Sequence, residues 1–190
     1  MSSSSTTSPS TSPSTSSPSD WTAPIFERTE NIPADTERES LEHYLDWHRE
    51  TLLWKCGGLT ADQLASRPLP STELSLLGLV RHMALVERWW FRIQFLGQKT
   101  LEELFTTEED PDGDFHNGTP ATAESDFATF REELTHSRQA THHRALDEMF
   151  EGRHHTLTLR WIYLHMIEEY ARHLGHADLL REAIDGATGE

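Results

Sequence analysis

Residues 158–184 read TLRWIYLHMIEEYARHLGHADLLREAI, and the period of that stretch decides the fold class. Wound at 3.6 residues per turn, it places Ile162, His165, Met166, Glu169, His173, His176, Ala177, Leu180 and Ile184 on one stripe. The apolar members of that stripe need a core to face, while the opposite side is charged. Gly186 stands where a helix C-terminus is expected to stop. The last segment of the chain is therefore read as one long amphipathic helix.

Working outward, three more helices are expected. Glu37 to Cys56 carries Leu41, Tyr44, Leu45, Leu52 and Leu53 near a helical period, and Gly57-Gly58 ends it. Thr60 and Gln63 have the spacing of a capping box for a short turn, and Pro68 and Pro70 mark the next break. A long apolar helix follows from Leu74 to about Leu96, closed by Gly97. Residues 98–124 are acidic and rich in Pro, Gly and Thr, which reads as a long loop. The third long helix is placed from Asp126 to Leu146. No alternating strand pattern and no internal repeat is visible. The expected fold is all-α: a four-helix up-down bundle with one long crossing loop.

The N-terminus is different in kind. Every residue from Ser2 to Ser19 is Ser, Thr or Pro, so there is no apolar surface whose burial offsets the entropy of ordering. Residues 1–24 are read as a disordered tail and 25–190 as the domain. Of the 190 residues, 16 are basic and 32 acidic, a net charge of −16. That balance repels phosphate backbones and anionic lipids, so nucleic acid and membrane surfaces are poor partners. No stretch approaches the roughly 20 apolar residues of a membrane span. The single cysteine, Cys56, excludes an internal disulfide framework and fits a cytoplasmic location.

The chemistry is expected on the second and fourth helices. Leu79, Val86, Trp89 and Ile93 share a stripe with His82, which turns that histidine inward. Alone, it reads as a core histidine bonded to a buried partner. Glu169 and His173 stand one turn apart, so their heads can converge on a point about 2 Å away, as zinc requires. The competing reading is an ordinary Glu–His helix pair. Ionisable groups in succession on an apolar stripe are costly unless something inside needs them, and a divalent cation supplies that need. His82, Glu169 and His173 are the expected metal ligands. Three protein ligands leave a coordination position open, the catalytic rather than the structural arrangement.

Other features read as empty. Asp110-Pro111-Asp112-Gly113-Asp114 imitates the start of a calcium loop, but the glycine is misplaced and Ala121 stands at position twelve. His142-His143 and His154-His155 are adjacent pairs suited to a solvated loop or helix end. Cys56 reads as packing, Trp89 and Trp90 as core rather than a substrate platform, and Glu87 with Arg88 as ordinary helix charge, with support of the site as the alternative for Glu87, one turn beyond Met83.

Two segments carry a family likeness. Leu79-Val80-Arg81-His82-Met83-Ala84, with Val86-Glu87 and Trp89-Trp90-Phe91, resembles the second helix of the DinB-like superfamily, in particular its actinobacterial "mini-circle" branch. Leu159-Arg160-Trp161, the run from His165 through Glu169 and His173 to Asp178, then Leu180-Arg181-Glu182 and Asp185-Gly186 resemble that branch's closing signature. The resemblance implies zinc or nickel in the core and kinship with enzymes of low-molecular-weight thiols: mycothiol-dependent maleylpyruvate isomerase and mycothiol or bacillithiol S-transferases. Many relatives carry three histidines. Glu169 departs from that set as the isomerase-like members do, which favours Lewis-acid chemistry.

The implied function is thiol transfer to, or isomerisation of, a small electrophile, with the thiol as cosubstrate. His165 and His176 stand either as ligand-orienting groups or as polar rim residues. Arg81 and Arg172 stand either as anchors for an anionic thiol or as surface partners of Glu87 and Glu168. A homodimer is compatible with this reading. A non-enzymatic metal-binding or stress-response protein is the alternative, and a metal-free scaffold a more distant one. For the tail, deleting residues 1–20 is expected to leave the melting temperature and metal content unchanged. A fall of several degrees in a thermal melt would show that the segment packs.

Overall fold

The sequence signals at helix ends act as read. The computed structural model describes residues 20–30, 33, 35–152 and 155–189. Helix α1, Glu37–Cys56, is opened by a full capping box between Thr36 and Glu39. The short α2, Ala61–Ala65, has the Thr60–Gln63 box. Helix α3, Leu76–Glu87, starts at Ser75, whose hydroxyl accepts from the Gly78 amide. It continues as a π-helical segment, Arg88–Phe95, where the Leu96 amide reaches back to the Phe91 carbonyl. Helix α4, Gly113–His116, is a single turn. Helix α5 is Ala123–Thr141, and α6, Leu159–Asp185, runs from a Thr158 cap to Gly186 at φ 77°.

Several expectations need correction. Helix α5 ends at Thr141, not Leu146, and the chain between it and α6 forms a small antiparallel hairpin. Its strands are β1, Met149–Glu151, and β2, Thr156–Thr158, with Phe150 opposite Leu157. Three-residue strands are too short to display an alternating pattern. Phe150 anchors the hairpin edge-on against Phe95 of the π-helical segment. At the N-terminus, residues 1–19 lie outside the described residues, as does His154. Within the stretch read as tail, Trp21 and Ala23 are packed. The Ala23 amide donates to the Leu59 carbonyl, Trp21 meets Phe127, and Ala23 is buried.

The larger correction concerns direction. Glu37 pairs with Arg160 and Lys55 with Asp178, so α1 and α6 run parallel. Arg81 pairs with Asp126 and Arg88 with Glu133, so α3 and α5 also run parallel. His82 meets His173 while Trp90 meets His165, which sets α3 antiparallel to α6. The helices therefore do not alternate up and down. The long segment after Gly97 carries the chain back along the molecule, a span of roughly 30 Å for a helix of about 20 residues.

The core is apolar around a buried charge. Leu45, Leu52, Leu76, Leu79, Met83, Phe91, Phe130, Ile162, Met166 and Tyr170 are all fully or almost fully buried. Glu87, read from sequence as ordinary helix charge, is fully buried with them. Its carboxylate accepts from Arg49 Nε at 2.7 Å and NH2 at 2.6 Å, and from the Tyr170 hydroxyl at 2.8 Å. Arg88, its sequence neighbour, pairs with the equally buried Glu133. Removing one partner from such a pair strands the other charge. Glu87→Ala should lower unfolding free energy by about 3–5 kcal/mol in urea titration. A loss under about 1 kcal/mol would show that Arg49 reaches solvent instead.

Candidate metal centre

Because α3 and α6 are antiparallel, His82 faces the turn of α6 that carries Glu169 and His173. One ligand atom from each of the three residues lies within 4.8 Å of the others. The two imidazole rings stand 4.6 Å apart, and Glu169 Oε2 lies 3.5 Å from His173 Nε2. His173 is buried, while His82 and Glu169 are partly exposed. The three residues singled out by sequence are thus brought together.

A fourth residue completes the arrangement. His82 Nδ1 is 2.7 Å from Oδ2 of Asp114, a buried carboxylate on α4. With Nδ1–H donating there, the lone pair is on Nε2, the tautomer a metal ligand needs. Asp114 is held in turn, since its other oxygen accepts from the Phe115 amide at 3.0 Å. Phe115 stacks on the His82 ring at 4.4 Å. Arg81, next to His82, hooks the same loop. It donates to the carbonyls of Asp114 and Gly113, pairs with Asp126, and lies over Phe105. It is therefore neither a free anchor for an anionic thiol nor a partner of Glu87. Gly78 lets the loop close in, because a Cβ there would stand 2.7 Å from the Phe115 carbonyl oxygen.

Sequence reasoning missed Asp114. It ends the stretch that imitates a calcium loop, and no periodicity links a loop residue to a histidine 32 positions earlier. Its role is visible only once Arg81 has drawn the loop onto α3.

The electrostatics favour ligation. Burial first, then the nearby His82, His176 and Arg172, push the His173 pKa down to about 4, with Asp114 opposing. The ring is neutral near pH 7, the form that binds metal. His173 Nδ1 and His176 Nδ1 are buried and have no hydrogen-bond partner among the described residues. Two imidazoles, that of His173 neutral, and a carboxylate suit a divalent cation of borderline softness. Ligands about 2 Å from one ion stand a little over about 3 Å apart, so small side-chain rotations close the triad.

Residues 40–186 match the mycothiol-S-transferase family. The chain belongs to that family, within the DinB-like superfamily. The match runs from α1 to the Gly186 cap and includes every residue of the candidate centre. No curated protein and no solved structure matches the chain significantly.

In this mycothiol-S-transferase family member, the remaining sequence features sort themselves by contact. The Cys56 thiol is fully buried and pushed up to about 12 by desolvation, so it is no nucleophile. Arg172 donates to Glu168, the surface pairing allowed for it. His142 and His143 close the end of α5 in exposed positions. His165 lies 3.8 Å from Glu169 Oε1, on the side away from His173. Among the described residues, no helix is long and apolar enough to cross a membrane.

Purified or zinc-reconstituted protein should hold about one equivalent of divalent metal by elemental analysis. His82→Ala and His173→Ala should lose it, and His143→Ala should keep it. Asp114→Asn should weaken zinc affinity by about 10- to 100-fold with the fold intact. Equal affinity in Asp114→Asn and wild type would remove Asp114 from the centre.

Proposed function

We propose that this chain is a divalent-metal-dependent S-transferase of the mycothiol type, or an isomerase of thiol adducts, acting on small electrophiles. On this reading its four long helices form the bundle of the DinB-like fold, and His82, Glu169 and His173 hold the ion. The observation that carries the proposal is the convergence of two imidazoles and one carboxylate, from antiparallel helices, in a member of this family. Zinc is the expected ion and nickel the runner-up, because the carboxylate in the set favours Lewis-acid over redox use. A bound divalent ion would supply the positive charge that stabilises a thiolate over a thiol near neutral pH.

The chain's own residues do the rest. Asp114 orients His82 through Nδ1, and Phe115 packs against the same ring and shields it from water. Glu169 lies between His173 and His165, one oxygen toward each. His165 is partly exposed and offers an imidazole nitrogen to take up the thiol proton. The reaction breaks the S–H bond and forms a sulfur–carbon bond; the proton departs with the leaving group where the electrophile carries one, and otherwise passes to the adduct. The net charge of −16 gives no long-range attraction to an anionic thiol, and neither Arg81 nor Arg172 is unpaired.

The test is thiol consumption with mycothiol, bacillithiol, glutathione and cysteine against monochlorobimane and related electrophiles. Wild type should exceed background with at least one thiol, and His173→Ala should fall to background. Identical rates for both proteins with every thiol would leave the non-enzymatic metal-binding reading in its place.

A further inference from the structure

One aromatic cluster lies beside the centre and shares His165 with it. Trp161 and His165, one turn apart on α6, stack with ring centroids 4.9 Å apart and planes 17° from parallel. Trp90, from the π-helical segment that follows α3, meets both rings, at 5.1 Å from Trp161 and 4.8 Å edge-on to His165. Trp90, read from sequence as core, is partly buried and packs against the core from its edge. Trp161 is 39% exposed and its neighbour Leu164 55% exposed. Structural tryptophans bury more of their surface than this, and π-helical segments concentrate at functional sites. The cluster continues into Glu169 through His165. His165 and Glu169 are one helical turn apart on α6, and the His165 ring lies 3.8 Å from the carboxylate of the candidate centre.

We infer that Trp90, Trp161 and His165 form the seat for the electrophile, and that the electrophile is a neutral, planar, electron-poor aromatic or heteroaromatic molecule. This inference rests on the thiol-transfer reading and names its substrate class. Indole faces carry negative quadrupole charge and attract electron-poor rings. Glu168 and Glu169 flank the seat, and the chain carries −16 overall, so an anionic ring is disfavoured. A flat molecule seated on these rings lies within one to two helical turns of Glu169, close enough to present a reactive carbon there. Trp90 and Trp161 are thus specificity-determining residues, not catalytic ones.

The experiment uses syn-dimethylbimane, a neutral flat bicycle with no leaving group, and the full-length protein. Equilibrium dialysis reads binding by bimane fluorescence, with no thiol and no turnover. Wild type should bind saturably at one site. Trp161→Ala should weaken binding about tenfold, and Trp161→Phe should stay within about threefold, because a stacking face remains. Leu179→Ala, at an exposed apolar position further along α6, should match wild type.

Absence of saturable binding in wild type would overturn the inference, as would unchanged binding in a Trp90→Ala, Trp161→Ala double variant. So would a dimer in sedimentation that Trp161→Ala converts to monomer, since the patch would then be covered by a second copy. Retained bimane binding without thiol consumption would uphold the seat and remove the transferase reading.

Discussion

The contact on which the rest depends is the acceptance by Glu87 of Arg49 and Tyr170 together. One fully buried carboxylate ties α1, α3 and α6 at a single level. Any slip of α3 along α6 would leave Arg49 or Tyr170 without a partner in a dry core. With that register held, His82, just over one turn before Glu87, meets His173, just under one turn beyond Tyr170. The approach of His82 to His173 is thus a consequence of a structural ion pair that is not itself part of the candidate site.

A second layer of constraint comes from the long connection. Arg81 fastens the loop by two backbone carbonyls and by Asp126 of α5, so the same guanidinium positions Asp114 and joins α3 to its parallel neighbour. Asp114 then meets His82 Nδ1. A loop that reads as a solvated acidic spacer in fact packs against the His82 ring. Neighbouring residues on one helix divide the work: Arg81 holds the loop and His82 faces Glu169 and His173.

What the sequence made legible was local and periodic. The α6 stripe, its Thr158 and Gly186 ends, and the Thr60–Gln63 box each depend on residues within a turn or two of one another. His82, Glu169 and His173, which the structure brings together, stand out the same way, as polar interruptions of apolar stripes. What escaped depends on distant pairs. The parallel course of α1 and α6 is set by contacts such as Glu37 with Arg160, more than a hundred residues apart. Glu87 looked like surface charge because only the tertiary fold supplies Arg49 and Tyr170. The hairpin between α5 and α6 is too short for a pattern, and Asp114 lies in a loop that has none.

The functional account reduces to one claim, that a metal held by two imidazoles and a carboxylate keeps a position for a thiol. X-ray absorption on the zinc-loaded protein, before and after addition of mycothiol, addresses it directly. The account predicts a light-atom shell with imidazole scattering at about 2.0–2.1 Å, joined on thiol addition by a sulfur at about 2.3 Å that His173→Ala does not acquire. A shell without imidazole, or one that mycothiol leaves unchanged, would contradict it.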